Sequence, residues 1–108
     1  MAADGIAAVY AIFGSDEEAR TIGRAMVEQR LAACVNVLGP CHSIYRWEGA
    51  IEEAEEVAAI FKTAAASVEP LIAAISAAHS YDTPAIVQLA VDHSGSAYRG
   101  WVEDETSA

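Results

Sequence analysis

The side chains of His79 and Cys34 have the chemistry of ligands for soft or borderline metals. His79 follows a predicted helix, where an imidazole can bind a borderline metal ion or an anion. Cys34 lies in a predicted strand, and its thiolate would suit Cu(I). Each residue also has a structural explanation, because a histidine stabilises a helix C-terminus and a free cysteine packs as a small hydrophobe. Both are candidate metal ligands, and the structural explanation is the favoured one.

A second thiol and imidazole are adjacent in the chain, at Cys41 and His42. Adjacent residues of a strand point to opposite faces, so the two would form a site only if a bulge intervened. Pro40 makes such a bulge possible. The role of this pair is left open by the sequence.

Acidic residues cluster just before the only lysine of the chain. The cluster consists of Glu52, Glu53, Glu55 and Glu56. On a strand these carboxylates alternate between faces, which makes a compact cage for a hard cation difficult and predicts a solvated segment. Glu56 and Lys62 share one face at even spacing, too far apart for direct contact. Lys62 in a cleft near an acid and aromatic rings could recognise a small anion.

Composition excludes two classes of partner. The formal net charge is −10, with 16 acidic against 6 basic residues, and such a field repels nucleic acid and anionic membrane surfaces. No apolar run approaches the roughly 20 residues of a membrane span. Residues 1–5 carry an acid where a signal peptide would have Lys or Arg. We therefore expect a cytoplasmic protein with free thiols and no membrane or nucleic-acid partner.

The elements that must position these residues form one predicted domain, 1–108, a common size for a single core. They are a strand over 6–13, a helix from a capping box at Ser15 to about Leu31, a bent and bulged strand over 33–47, a return strand from Ile51, a helix after Ser67 ending near His79, a strand over 85–91 and a short helix over 97–103. This βαββαβ order with an added C-terminal helix predicts an α+β, ferredoxin-like antiparallel sheet with helices on one face.

The return strand conflicts with local propensity. Residues 52–66 (EEAEEVAAIFKTAAA) are rich in strong helix formers. The return of the chain after the turn at 48–50 instead places Val57, Ala59 and Phe61 on one face of a strand. We predict a strand, partly on the family resemblance described next.

Three segments resemble the signatures of the CutA (divalent-cation tolerance) family. They are residues 30–37 (RLAACVNV), residues 43–49 (SIYRWEG) and residues 79–84 (HSYDTP), followed by Tyr98 and Trp101. The resemblance runs in order from about Val9 to Trp101. It implies a homotrimer in which the long hairpin of one subunit pairs with the sheet of its neighbour. Closing the edges around a three-fold axis would also protect an exposed aromatic hairpin from aggregation.

The resemblance further implies a ligand cleft between subunits. We expect Trp47, Glu56, Lys62 and Tyr81 to line it, although large aromatics in a trimer are more often interface core. Ser80 stands where the family usually has proline, which predicts a looser turn. Ala85 stands where it usually has glutamate, so this chain lacks the ligand or cleft acid that a glutamate there would supply.

The function implied is non-enzymatic. The family resemblance implies tolerance of divalent metal, with copper or another divalent cation or a small-molecule effector bound at the clefts and no required cofactor. A signalling or scaffold trimer, with metal incidental, is the alternative. An unrecognised enzyme using Lys62, Glu56 and His79 is a third reading, but the sequence has no nucleophile elbow, phosphate loop or zinc-ligand spacing.

Overall fold

Four strands and three helices follow one another along the chain in the predicted order. A computed structural model describes residues 5–107. Its strands are β1 (Ile6–Phe13), β2 (Cys34–Trp47), β3 (Ala50–Ala64) and β4 (Ile86–Ala90), and its helices are α1 (Asp16–Glu28), α2 (Val68–Ala78) and α3 (Ser96–Glu105), with a 3₁₀ turn over Ala65–Ser67 before α2. The prediction of no signal peptide rests largely on residues 1–4, which lie outside the described residues.

The strands form one antiparallel sheet in the order β2-β3-β1-β4. This is the ferredoxin-like arrangement, so the predicted fold class is confirmed. Strand β1 lies between β3 and β4, and its apolar composition follows from that position because helices cover one of its faces.

The main core lies between the sheet and helices α1 and α2. Val9 and Phe13 of β1, Phe61 of β3, and Leu71 and Ile75 of α2 are all fully buried there. The odd-numbered residues of β1 and β3 face this core, as the alternation of side chains along a strand requires. The predicted grouping of Val57, Ala59 and Phe61 on one face of β3 is therefore confirmed, and that face is the buried one.

Helix α3 differs from the prediction that all helices share one face. Its Val102 is buried against Ile6 and Ala33. Ile6 points away from the main core, because its neighbour Ala7 points into it. Helix α3 thus covers one end of the second face of the sheet. We call the uncovered part of that face, which includes Tyr10, Ile12, Ile60, Val87 and Leu89, the open face.

The β2–β3 hairpin reaches well beyond the rest of the sheet. Strand β1 pairs with β3 only from Val57 to Ala64, so the segments 41–47 and 50–56 pair only with each other. We call these two segments the hairpin arm. A two-residue turn closes it, with φ of 50° at Glu48 and 84° at Gly49. The predicted bulge is present, but it lies between Val37 and Gly39 rather than at Pro40, which pairs regularly with Val57. Strand β3 is a strand despite its helix-forming composition.

The ends of the helices agree with the sequence in part. Ser15 caps α1, since its Oγ accepts from the backbone N–H of Glu18 at 3.1 Å. The helix ends at Glu28, three residues before the predicted end, and Arg30 adopts a left-handed φ of 60°. Ser67 lies at the start of α2 but its side chain makes no capping bond. Among the described residues, no helix is long and apolar enough to cross a membrane.

Candidate functional site

A cavity of about 540 Å³ lies where the hairpin arm meets the loop between α2 and β4. That loop spans 79–85. The lining residues are Ile12, Ser43, Tyr45, Trp47, Glu52, Glu56, Tyr81, Asp82, Thr83 and Ala85. The volume is within the range of small-molecule sites.

Strand register explains why these hairpin residues converge. Tyr45 pairs with Glu52, and Trp47 pairs with Ala50. Glu52 and Glu56 are even-numbered positions of β3, and even-numbered side chains lie on the same side of the sheet as the open face. The cavity is therefore an extension of the open face along the hairpin arm.

His79 is the buried anchor of the loop. Its side chain is fully buried, with Nε2 2.7 Å from the backbone oxygen of Ile12. Its Nδ1 accepts from the backbone N–H of Tyr81 at 3.0 Å, which corresponds to the tautomer protonated on Nε2. The ring stacks on Phe13 with centroids 5.1 Å apart. Because both ring nitrogens are already bonded, the expectation that His79 ligates a metal is not supported by this geometry, and the imidazole positions the loop instead.

Tyr81 connects the loop to the hairpin arm. Its hydroxyl donates to Oε2 of Glu56 at 2.7 Å. Burial and the bond to Glu56 raise the pKa of Tyr81 to about 12. A Cβ at Gly14 would lie 3.1 Å from this hydroxyl, so the glycine leaves room for the ring. The phenol is thus held neutral, and it fixes the Glu56 carboxylate at the cavity wall.

Glu18 fixes the same loop from the side of α1. Its carboxylate accepts from the backbone N–H of Ser80 at 2.8 Å and from the Ser80 hydroxyl at 3.1 Å. It also accepts from the backbone N–H of Gly14 at 3.4 Å. Burial acts to raise the pKa of Glu18, but the bonds from Ser80 and Gly14 hold that pKa below its ordinary value. Ser80 therefore anchors the turn, which the sequence predicted to be loosened at this position.

The structure separates Lys62 from the other predicted cleft residues. Trp47, Glu56 and Tyr81 all line the cavity, but Lys62 does not. Its Nζ donates to Oδ1 of Asn36 at 2.7 Å. Six residues along β3 correspond to roughly 20 Å, which places Lys62 near the far end of the sheet. Lys62 does not line the cavity of the single chain. Its place in a cleft between subunits stays a prediction, as do the binding roles of the other three residues.

Cys34 is also remote from the cavity. It pairs with Lys62, which in turn pairs with Ala8, whereas His79 packs on Phe13 at the other end of β1. The Cys34 Sγ lies 3.4 Å from the Tyr98 hydroxyl, and burial together with this bond raises the pKa of Tyr98 to about 12. His79 and Cys34 therefore do not form one metal site. Within residues 5–107, no three His, Cys, Asp or Glu side chains converge closely enough to hold a metal ion.

Cys41 and His42 point to opposite faces of the hairpin arm. Cys41 pairs with Glu56 on the side of the cavity, while His42 pairs with Glu55 on the other side. The His42 Nε2 bonds to Glu53 and its Nδ1 bonds to Glu55, each at 2.5 Å. The thiol and imidazole therefore do not form a joint site.

We predict that His42 titrates above its ordinary value of 6.5, because its hydrogen bonds to Glu53 and then Glu55 raise the pKa. Because the pKa of His42 is higher in the folded state, the interaction of the protonated ring with Glu53 and Glu55 stabilises the fold fully below the unfolded-state pKa. This stabilisation is lost as pH rises through the folded-state pKa. An NMR titration of the His42 ring measures this shift. Glu53→Gln should lower the His42 pKa, whereas Glu17→Gln, the same charge change on α1, should leave it unchanged. An ordinary pKa for His42 in the unmodified protein would contradict the geometry.

The sequence reasoning missed three acidic residues of the site. Glu52 and Asp82 line the cavity, and Glu18 anchors the loop from α1. Glu52 was grouped with the solvated acids, and Glu18 was explained by its position in the capping box. Asp82 lies within the HSYDTP segment, so its place beside Tyr81 was the one available signal.

The fold and the cavity define a ferredoxin-like α+β protein with a ligand-sized cleft along a long hairpin. Residues 7–105 match the family described as "CutA1 divalent ion tolerance protein". The chain therefore belongs to the CutA1 family.

Individual relatives agree with this assignment. The chain is 40% identical over 92 residues to the divalent-cation tolerance protein CutA of Thermus thermophilus, covering 85% of this chain and 89% of that protein. It is 35% identical over 103 residues to human protein CutA, covering 95% of this chain and 58% of that longer protein. The crystal structure of CutA1 from Ehrlichia chaffeensis superposes with a TM-score of 0.92 at 32% identity, covering 99% of this chain and 100% of that one. A cytoplasmic location stays a prediction.

Proposed function

We propose that this protein is a non-enzymatic homotrimer that binds a small ligand in a cleft at the subunit boundary. The observation that carries the proposal is the cavity of about 540 Å³ between the hairpin arm and the 79–85 loop. One side of this cavity is formed by an arm that pairs with no other strand of the described residues 5–107. A neighbouring subunit that paired with the arm would complete the cleft.

The open face supports the trimer. Val87 and Leu89 are exposed on it, and they lie beside the partly buried Tyr10 and Ile60. An apolar sheet face next to a projecting hairpin exposes both apolar surface and unpaired strand edges. Association around a three-fold axis would bury both features.

Replacing Leu89 with glutamate is expected to convert the trimer to monomer, because it would place a charge in the proposed interface. Light scattering after size-exclusion chromatography measures the mass. Leu89 is 44% exposed in the single chain, so the change should leave the subunit folded. Val27→Glu is the matched control, since Val27 is 37% exposed on α1, away from the open face. A monomeric unmodified protein at micromolar concentration would contradict the trimer.

The chemistry of the cavity supports binding without catalysis. Tyr81 is held neutral by its bond to Glu56 and by burial, which raise its pKa to about 12, far from the range useful for proton transfer at neutral pH. Divalent-cation tolerance appears in the names of the relatives. Binding of copper or another divalent cation by this chain is a proposal that lacks support from His79, whose ring nitrogens are both occupied.

Thermal shift assays on the trimer test ligand binding. Copper, zinc, nucleotides and cationic metabolites should be compared at equal concentration, with the Trp47→Leu variant as the site control. A ligand that stabilises the unmodified protein but not Trp47→Leu supports the proposal. A trimer that no small molecule stabilises would favour the scaffold alternative.

A further inference from the structure

We infer that the cavity at the hairpin arm binds an organic cation, with an ammonium group against the aromatic rings and an apolar body along the remaining wall. This inference rests on the proposed function, because it names the ligand class of the proposed cleft. The lining combines aromatic rings, carboxylates and small apolar groups, and each part suits one part of such a ligand.

The charge of the lining selects a cation. Glu52, Glu56 and Asp82 line the cavity, and none of the lining residues is Lys, Arg or His. Within residues 5–107, the Glu52 and Asp82 carboxylates have no hydrogen-bond or ion-pair partner, and the chain carries a net charge of −10. An anion would therefore meet repulsion in the site and in the surrounding field.

Aromatic rings supply the surface for the charged group. Tyr45, Trp47 and Tyr81 line the cavity and are between 38% and 49% exposed, so their rings are accessible to a ligand. The negative face of an aromatic ring attracts an ammonium group, and tryptophan is the strongest of the three ring types. The position of Tyr81 is fixed in advance by His79 and Glu56, which reduces the cost of ordering it on binding.

The spacing of the carboxylates favours an organic cation over a metal ion. No three of the described acidic, histidine or cysteine side chains converge as metal ligands. One Glu56 oxygen already accepts the Tyr81 hydroxyl proton. Dispersed carboxylates suit a large, weakly hydrated cation, whereas a small dication needs several oxygens at about 2.0–2.6 Å. The side chains of Ile12 and Ala85 add apolar wall for the body of the ligand.

Calorimetric titration at low ionic strength tests the inference with three probes. Choline and benzyltrimethylammonium carry the charge, and 3,3-dimethyl-1-butanol is the neutral isostere of choline. We expect both cations to bind, benzyltrimethylammonium the more tightly, and the neutral isostere to bind at least about ten-fold more weakly than choline. Equal affinity for choline and its isostere would overturn the inference.

Two pairs of variants locate the binding. Glu52→Gln should weaken choline binding about three- to ten-fold, whereas Glu53→Gln, the same charge change on the opposite face of β3, should change it less than about two-fold. Trp47→Leu should weaken binding about five-fold or more, and Trp101→Leu on α3 should not. Equal effects of the two glutamate variants would show that only the overall negative charge matters. Equal effects of the two tryptophan variants would show a general loss of packing. Either result would overturn the site.

Light scattering on the same samples separates this inference from the proposed function. ADP, an anion, is titrated as a further probe. A trimer that binds ADP but neither cation would overturn the proposed ligand class and leave the proposed cleft in place. Choline binding by a monomer would support the cation site and overturn the trimer. A trimer that binds none of the probes would overturn the inference.

Discussion

Replacing His79 with alanine is expected to lower the free energy of unfolding by about 3 kcal/mol. The change removes the partners of the Ile12 carbonyl and the Tyr81 N–H, and it removes a ring stacked on Phe13. It also leaves a void, because the side chain is fully buried. Urea unfolding at one fixed protein concentration measures the loss, since the stability of an oligomer depends on concentration.

The control for this experiment is His93→Ala, because His93 is exposed in the loop between β4 and α3. We expect its effect on stability to be within about 0.5 kcal/mol. Calorimetric titration of both variants with Cu²⁺ distinguishes the two roles of His79. Unchanged stability of His79→Ala together with loss of tight Cu²⁺ binding would show that His79 is a ligand rather than an anchor.

The hairpin shows why sequence patterns predicted the architecture but needed help from the family resemblance at β3. Strand β1 and helix α1 are specified locally, by an apolar run ending at Gly14 and by the cap at Ser15. Residues 52–66 favour a helix by propensity, but pairing with β2 on one side and β1 on the other makes 50–64 a strand. Those pairings are contacts between distant parts of the chain, and no local rule contains them.

The candidate site was likewise predicted from the sequence only in part. Trp47, Glu56 and Tyr81 were expected to lie together, and they do. Lys62 was placed with them in a cleft between subunits, and the single chain keeps it apart from them, as the spacing of Glu56 and Lys62 along β3 predicted. Glu18 was missed because its contact with Ser80 depends on how α1 packs beside the end of α2.

Replacing Phe61 with alanine is expected to lower the free energy of unfolding by about 4 kcal/mol, the largest effect that we predict. Phe61 is fully buried at the centre of the core, and its ring lies 6.4 Å from that of Phe13. It pairs with Val9 on one side and Val35 on the other, so neighbouring strands limit the collapse of the cavity left behind. Chemical unfolding, again at fixed protein concentration, measures the change.

Lys62→Ala is the matched control, because the adjacent residue of a strand points to the opposite face. Its Nζ makes one hydrogen bond, to Asn36, so its loss should cost less than about 1 kcal/mol. In a helix, residues 61 and 62 would lie only about 100° apart and would share part of one face. The contrast between the two substitutions therefore tests the strand assignment of β3, where local propensity and tertiary pairing disagree. Comparable losses for both variants would contradict it.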